Sequence, residues 1–114
     1  MTLDTFLQKL KAAPHTIEFT DTQSVIDTLY HFTPTAFKNG AVENAAGQNN
    51  GSCKLFAFAK LQGLNQQQTL ACFGAYYHRD VLEHPNGTDH GNIRNFMKYG
   101  WEGISYAGQA LKLL

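Results

Sequence analysis

Leu3, Phe6, Leu7 and Leu10 recur at the i, i+3, i+4, i+7 spacing of one helix face, which predicts an amphipathic helix over residues 3–12 ending before Pro14. A second helix is expected over 21–31. Thr20 and Gln23 have capping-box spacing, and Val25, Ile26, Leu29 and Phe32 supply its apolar face. The pattern then changes. Pro34 breaks the helix and Asn39-Gly40 is a type I′ hairpin signal, so short strands are expected at 34–38 and 41–44. Glycine and amides fill a loop over 46–52. It leads into "CKLFAFAKLQGL", apolar on nearly every side at Leu55, Phe56, Phe58 and Leu61. That is the signature of a helix buried at the centre, with a buried strand as the alternative that periodicity leaves open.

Asn65 and Gln68 repeat the capping-box spacing and open a fourth helix through "TLACFGAYYHRDVLEH", in which Gly74 marks a break or a close backbone approach. Pro85-Asn86-Gly87 is a turn, Thr88 or Asp89 a natural N-cap, and "GNIRNFMKYG" a short last helix. "GISYAGQAL" reads as a terminal strand against the hairpin. The expected fold class is α+β and mainly helical. About five helices accompany a small antiparallel sheet, made of the hairpin near 34–44 and the C-terminal strand, in one domain spanning 1–114.

Charge narrows the functional classes. Nine basic residues balance nine acidic ones without a basic run, so the electrostatic footprint of a nucleic-acid binder is missing. Core packing therefore accounts for Phe73, Tyr76, Phe96 and Trp101 better than base stacking does. A near-neutral surface gives little protection against self-association, which leaves a monomer or a homodimer. No stretch approaches the roughly 18 apolar residues of a membrane span, and the N-terminus lacks the features of a secretory signal. Cys53 and Cys72 without such a signal suggest reduced thiols and a cytoplasmic location.

Three constellations could carry chemistry. Cys53 follows Gly51-Ser52 at a predicted helix start beside Lys54, and helix amides and a cation both favour thiolate. His90, preceded by Asp89, is the candidate base, with Asn44, Asn49 or Asn95 to orient the imidazole. Equally, Cys53 could simply fill the core, as Cys72 between apolar neighbours is expected to do. A metal is not expected, nor any other cofactor. His78, Asp80, His84, Asp89 and His90 are close in sequence, but their spacing does not place them on one helix face. Asp80 has an architectural role available to it as an ion-pair partner of Arg94. The loop "GQNNGS" before a helix N-terminus suits a small anion, with Lys54 as counter-charge and Arg94 nearby, although it lacks P-loop register.

The segments "FTPTAFKNG", "NNGSCKLFAFAKLQGL", "TLACFGAYYHRDVLEHPNGTDHGNIRNFM" and "GWEGISYAG" together resemble the HopJ type III effector family, over about residues 17–110. The resemblance implies a small single-domain protein and brings no catalytic residues to carry over. The family name implies a secreted effector as one reading. The amphipathic helix that starts almost at Met1 points instead to a cytoplasmic role. The leading expectation is a binding protein for a small polar ligand or a protein partner. Its site would lie where the loop before Cys53 meets the turn before Ile93, drawing on Asn44, Asn49, Lys54, Arg94 and Asn95. The alternative is a thiol enzyme for acyl transfer or hydrolysis, using Cys53, His90 and Asp89.

Overall fold

The computed structural model describes residues 1–114. Helix α1 (Leu3–Ala12) buries Phe6 and Leu10, and the Thr2 hydroxyl caps it by accepting from the Thr5 amide. After a 3-10 turn at Pro14–Thr16, α2 (Phe19–Leu29) packs Thr22, Val25 and Ile26 inward. Its cap differs from the expected Thr20–Gln23 pair. Glu18 is the N-cap and its amide donates to Asp21 Oδ2 at 3.1 Å, a capping box two residues earlier.

The second helix also ends sooner than its apolar spacing suggests. Tyr30–Phe32 forms β1, which pairs antiparallel with β5 (Leu111–Leu113) in the register Tyr30↔Leu113 and Phe32↔Leu111. Residues with high strand propensity follow the helical run there, and pairing with the chain's end decides between the two. The hairpin is β2 (Phe37–Asn39) and β3 (Val42–Asn44), with β4 (Ile104–Tyr106) added on the far side of β2. One terminal strand was expected, but two form, each in its own sheet. Only the first loop residue of the hairpin has positive φ (Gly40, +59°), the pattern of a II′ turn rather than I′. Asn39 stays in the strand because its side chain is buried and bonded to Asn92.

Helix α3 (Asn50–Leu61) is the centre of the molecule: Cys53, Leu55, Phe56, Phe58 and Ala59 are all buried. It begins at Asn50, so Gly51 and Ser52 belong to its first turn rather than to a loop. Phe56 contacts Phe37, Phe73, Phe96 and Trp101, drawing together β2, the chain after α4 and α5 (Gly91–Tyr99). Helix α4 (Gln66–Ala71) has the predicted capping box, with the Gln68 amide donating to Asn65 Oδ1 at 2.8 Å and the Asn65 amide to Gln68 Oε1 at 3.0 Å. The mainly helical α+β class is observed, and no helix is long and apolar enough to cross a membrane.

Gly74 ends the α4 region for both anticipated reasons. Its φ is +61°, and a Cβ there would lie 2.7 Å from the Phe19 amide nitrogen and 3.0 Å from the Ile17 carbonyl. The chain then resumes as a π-helical segment, Tyr76–Val81, which buries Tyr77 and Val81. Gly74→Ala combines left-handed strain with a backbone clash. It should cost about 2–4 kcal/mol in urea unfolding, and a loss below about 0.5 kcal/mol would show that the segment shifts freely.

Candidate functional site

The loop before α3 and the turn before α5 come together, and asparagines join them. Asn44, at the end of β3, and Asn92, in the first turn of α5, form a reciprocal amide pair. Asn44 Nδ2 donates to Asn92 Oδ1 at 3.1 Å and Asn92 Nδ2 to Asn44 Oδ1 at 3.0 Å. Asn49 Nδ2 donates to the same Asn44 oxygen at 2.7 Å, tying the start of α3 to the pair. Asn39 Nδ2 completes the network, donating to the Asn92 carbonyl at 2.8 Å and to Asn92 Oδ1 at 3.1 Å. Asn39, Asn44 and Asn92 are buried, so these bonds form where water cannot replace them.

The N-caps of α3 and α5 share an unusual conformation. Asn49 (φ 52°, ψ 48°) and His90 (φ 51°, ψ 50°) are both left-handed, and neither helix has a side-chain cap. This corrects the expectation that Thr88 or Asp89 caps α5. Between the two termini lies a cleft of about 480 Å³. Gly51 and Ser52 of α3 and Gly91, Asn92 and Ile93 of α5 line it, together with Phe19, Val42, Phe73 and Tyr76. First-turn amides have no partner within their own helix and carry the positive end of its dipole.

His90 also lines this cleft. Its Nε2 lies 3.0 Å from Asp80 Oδ2 and 3.8 Å from Asp89 Oδ2, and its ring packs against Tyr76. Asp80 therefore pairs with His90, not with Arg94. Arg94 instead staples the preceding turn, donating to the Asp89 and His84 carbonyls and, at 2.8 Å, to Asp89 Oδ1. That hydrogen bond, helped by the charges of His90 and Arg94, holds the Asp89 carboxyl below its ordinary range.

The other anticipated site residues are occupied elsewhere. Lys54 pairs with Asp27 at 2.9 Å and lies over the Phe32 ring, away from the cleft. Asn95 accepts from the Ala41 amide and donates to the Gly91 carbonyl, bracing the hairpin loop against α5. Cys53 is 1% exposed, its Sγ directed at the Thr35 carbonyl 3.4 Å away, and burial pushes its thiol up, not down. No hydrogen bond joins Cys53 to His90, so the dyad needed for acyl transfer is not assembled. Asn92, Tyr76 and Ser52 were not anticipated. The available signal was the high asparagine content of a chain with only 16% charged residues.

These elements define a mainly helical α+β protein whose cleft opens between two helix N-termini. The chain belongs to the family described as HopJ type III effector protein, which matches residues 3–111. Among solved structures it is similar to a protein of unknown function, VPA0580. The two share 53% identity over 100% of this chain and 95% of that one, with a TM-score of 0.98. No curated protein matches the chain.

Asn44→Ala should cost about 2–3 kcal/mol in denaturant unfolding, because buried amide groups of Asn92 and Asn49 lose their partner. Asn49→Gly loses one bond but relieves left-handed strain, so it should stay within about 1 kcal/mol of wild type. Equal losses in the two variants would mean that the network is not organised around Asn44. For Cys53, iodoacetamide labelling at neutral pH should be much slower in the folded protein than in denaturant, since the thiol is both buried and raised. Labelling as fast in the folded state would restore an activated thiolate.

Proposed function

We propose that the protein binds a small polar ligand carrying an anionic group, such as a carboxylate or phosphate, in the cleft between α3 and α5. The observation that carries this reading is the convergence of two helix first turns, both without side-chain caps, on one concave space bordered by His90. Such termini favour negative charge through their free amides and dipoles. The aromatic rings of Phe19, Phe73 and Tyr76 would hold the apolar part of the ligand, the usual division of labour in a small-molecule site. Asn44, Asn49, Arg94 and Asn95 shape the cleft in this reading, without needing to touch the ligand. His90 would be the one side chain able to add a full positive charge. Within this proposal the protein is a single-domain binding protein of the cytoplasm, in keeping with two unpaired, buried cysteines.

Backbone amide shifts provide the test. Titration with a panel of small carboxylates and phosphates should move the amide resonances of Gly51, Ser52, Gly91, Asn92 and Ile93 together. Ser52→Glu places a carboxylate at the third position of α3, where it reaches back to the N-cap amide and its negative charge occupies the positive end of the helix. It should weaken binding at least about tenfold, or about 1.4 kcal/mol, while preserving or raising the melting temperature. Ligands that bind the variant as well as wild type, or that move amides elsewhere, would place the site outside this cleft.

A further inference from the structure

We infer that Asn86 is a site of spontaneous deamidation, selected by the fold from three Asn-Gly pairs in the sequence. The pairs are Asn39-Gly40, Asn50-Gly51 and Asn86-Gly87. In this reaction the backbone nitrogen of the glycine attacks the asparagine side-chain carbonyl carbon. A bond forms between that nitrogen and Cγ, the Cγ–Nδ2 bond breaks, and ammonia leaves carrying the glycine amide proton. Water then opens the succinimide at one of its two carbonyls, leaving either aspartate or isoaspartate. No redox partner is needed. Glycine favours the step because it lacks a Cβ to obstruct ring closure. What remains is whether the backbone can rotate to bring the nitrogen onto Cγ.

At Asn39 it cannot without breaking the core. The side chain is 0% exposed and its Nδ2 donates twice to Asn92, while the Gly40 amide donates to the Gly103 carbonyl at 3.0 Å. Asn50 is exposed but lies inside the first turn of α3, closed by the Cys53 amide on the Asn49 carbonyl at 2.9 Å. Gln23 Nε2 also holds the Gly51 carbonyl at 3.2 Å, and the Phe19 ring sits against Gly51. Rotation there means unwinding the end of the central helix.

Asn86 meets neither obstacle. Residues 82–89 are all exposed, and the Asn86 side chain has no hydrogen bond. One backbone bond, from the Gly87 amide to the His84 carbonyl at 3.0 Å, holds the nucleophile. An exposed turn opens at far lower free energy than a core strand or a packed helix. A Cβ at Gly87 would lie 2.6 Å from Arg94 Nη2 and 3.1 Å from Asp89 Oδ1, so a larger residue there would displace the Arg94 guanidinium from the turn it holds. Isoaspartate at position 86 would add a methylene to the backbone between carbonyls that Arg94 holds, and a carboxylate to compete for its guanidinium.

The test is peptide mapping of the full-length protein during incubation in mildly alkaline buffer, folded and in denaturant. In the folded state, conversion at Asn86 should lead that at Asn39 and Asn50 by on the order of tenfold or more, and yield both aspartate and isoaspartate. In denaturant the three sites should converge. Arg94→Ala loosens the turn and should speed conversion at Asn86 severalfold without changing Asn50. If that variant unfolds, Asn39 conversion reports it, and the wild-type comparison decides alone. Asn50 or Asn39 matching Asn86 in the folded state would overturn the inference. So would the same spread of rates in denaturant, since local sequence would then be the cause.

Discussion

The reciprocal amide pair between Asn44 and Asn92 is the constraint on which the cleft depends. It joins the last residue of the β2–β3 hairpin to the first turn of α5, and through Asn49 it reaches the start of α3. The hairpin and the start of α3 are thereby tied to α5, 48 residues further along the chain from Asn44. Amides suit this task because each offers donors and an acceptor without carrying charge, so the network can be buried without the desolvation penalty of ions. It also leaves the backbone N–H groups of both helix first turns unclaimed by side-chain caps.

Around that network, charge is placed sparingly. Arg94 is spent on ordering the turn before α5, and Lys54 on fastening α3 to α2 through Asp27. His90 and Asp80 connect the π-helical segment to the cleft. Hydrophobic burial along α3 supplies the framework, with Phe56 as its busiest contact, and the polar groups settle geometry at its upper end. No carboxylate, lysine or arginine lines the cleft, and its one histidine, His90, faces the carboxylates of Asp80 and Asp89, so the positive ends of the two helix dipoles are what the proposed anionic group would meet.

Much of the fold was legible in hydrophobic spacing. The α1 face, the largely apolar α3, the Asn65–Gln68 cap and the break at Gly74 each have a local cause acting within a few residues. Tyr30–Phe32 was not legible as strand, because its apolar spacing continues the helix before it and only the distant partner Leu111–Leu113 draws it out. The split of the C-terminal segment into β4 and β5 has the same origin. At the site, loop and turn were correctly expected to be neighbours. Their chemistry was not, since Cys53 points to Thr35 in the β1–β2 connection and Lys54 to Asp27 of α2, partners that sequence proximity does not reveal.

The sequence by itself determined that helices form in these segments, the apolar face of α1, the Asn65–Gln68 cap, the break at Gly74 and membership of the HopJ family, because these rest on local periodicity and ordered motifs. Only the tertiary structure decided what the polar residues do. An asparagine, a cysteine or an arginine has the same local preferences whether it braces a turn, fills a core or lines a cleft. Its role is set by the partner that packing brings within hydrogen-bond reach, and here those partners lie up to 54 residues away.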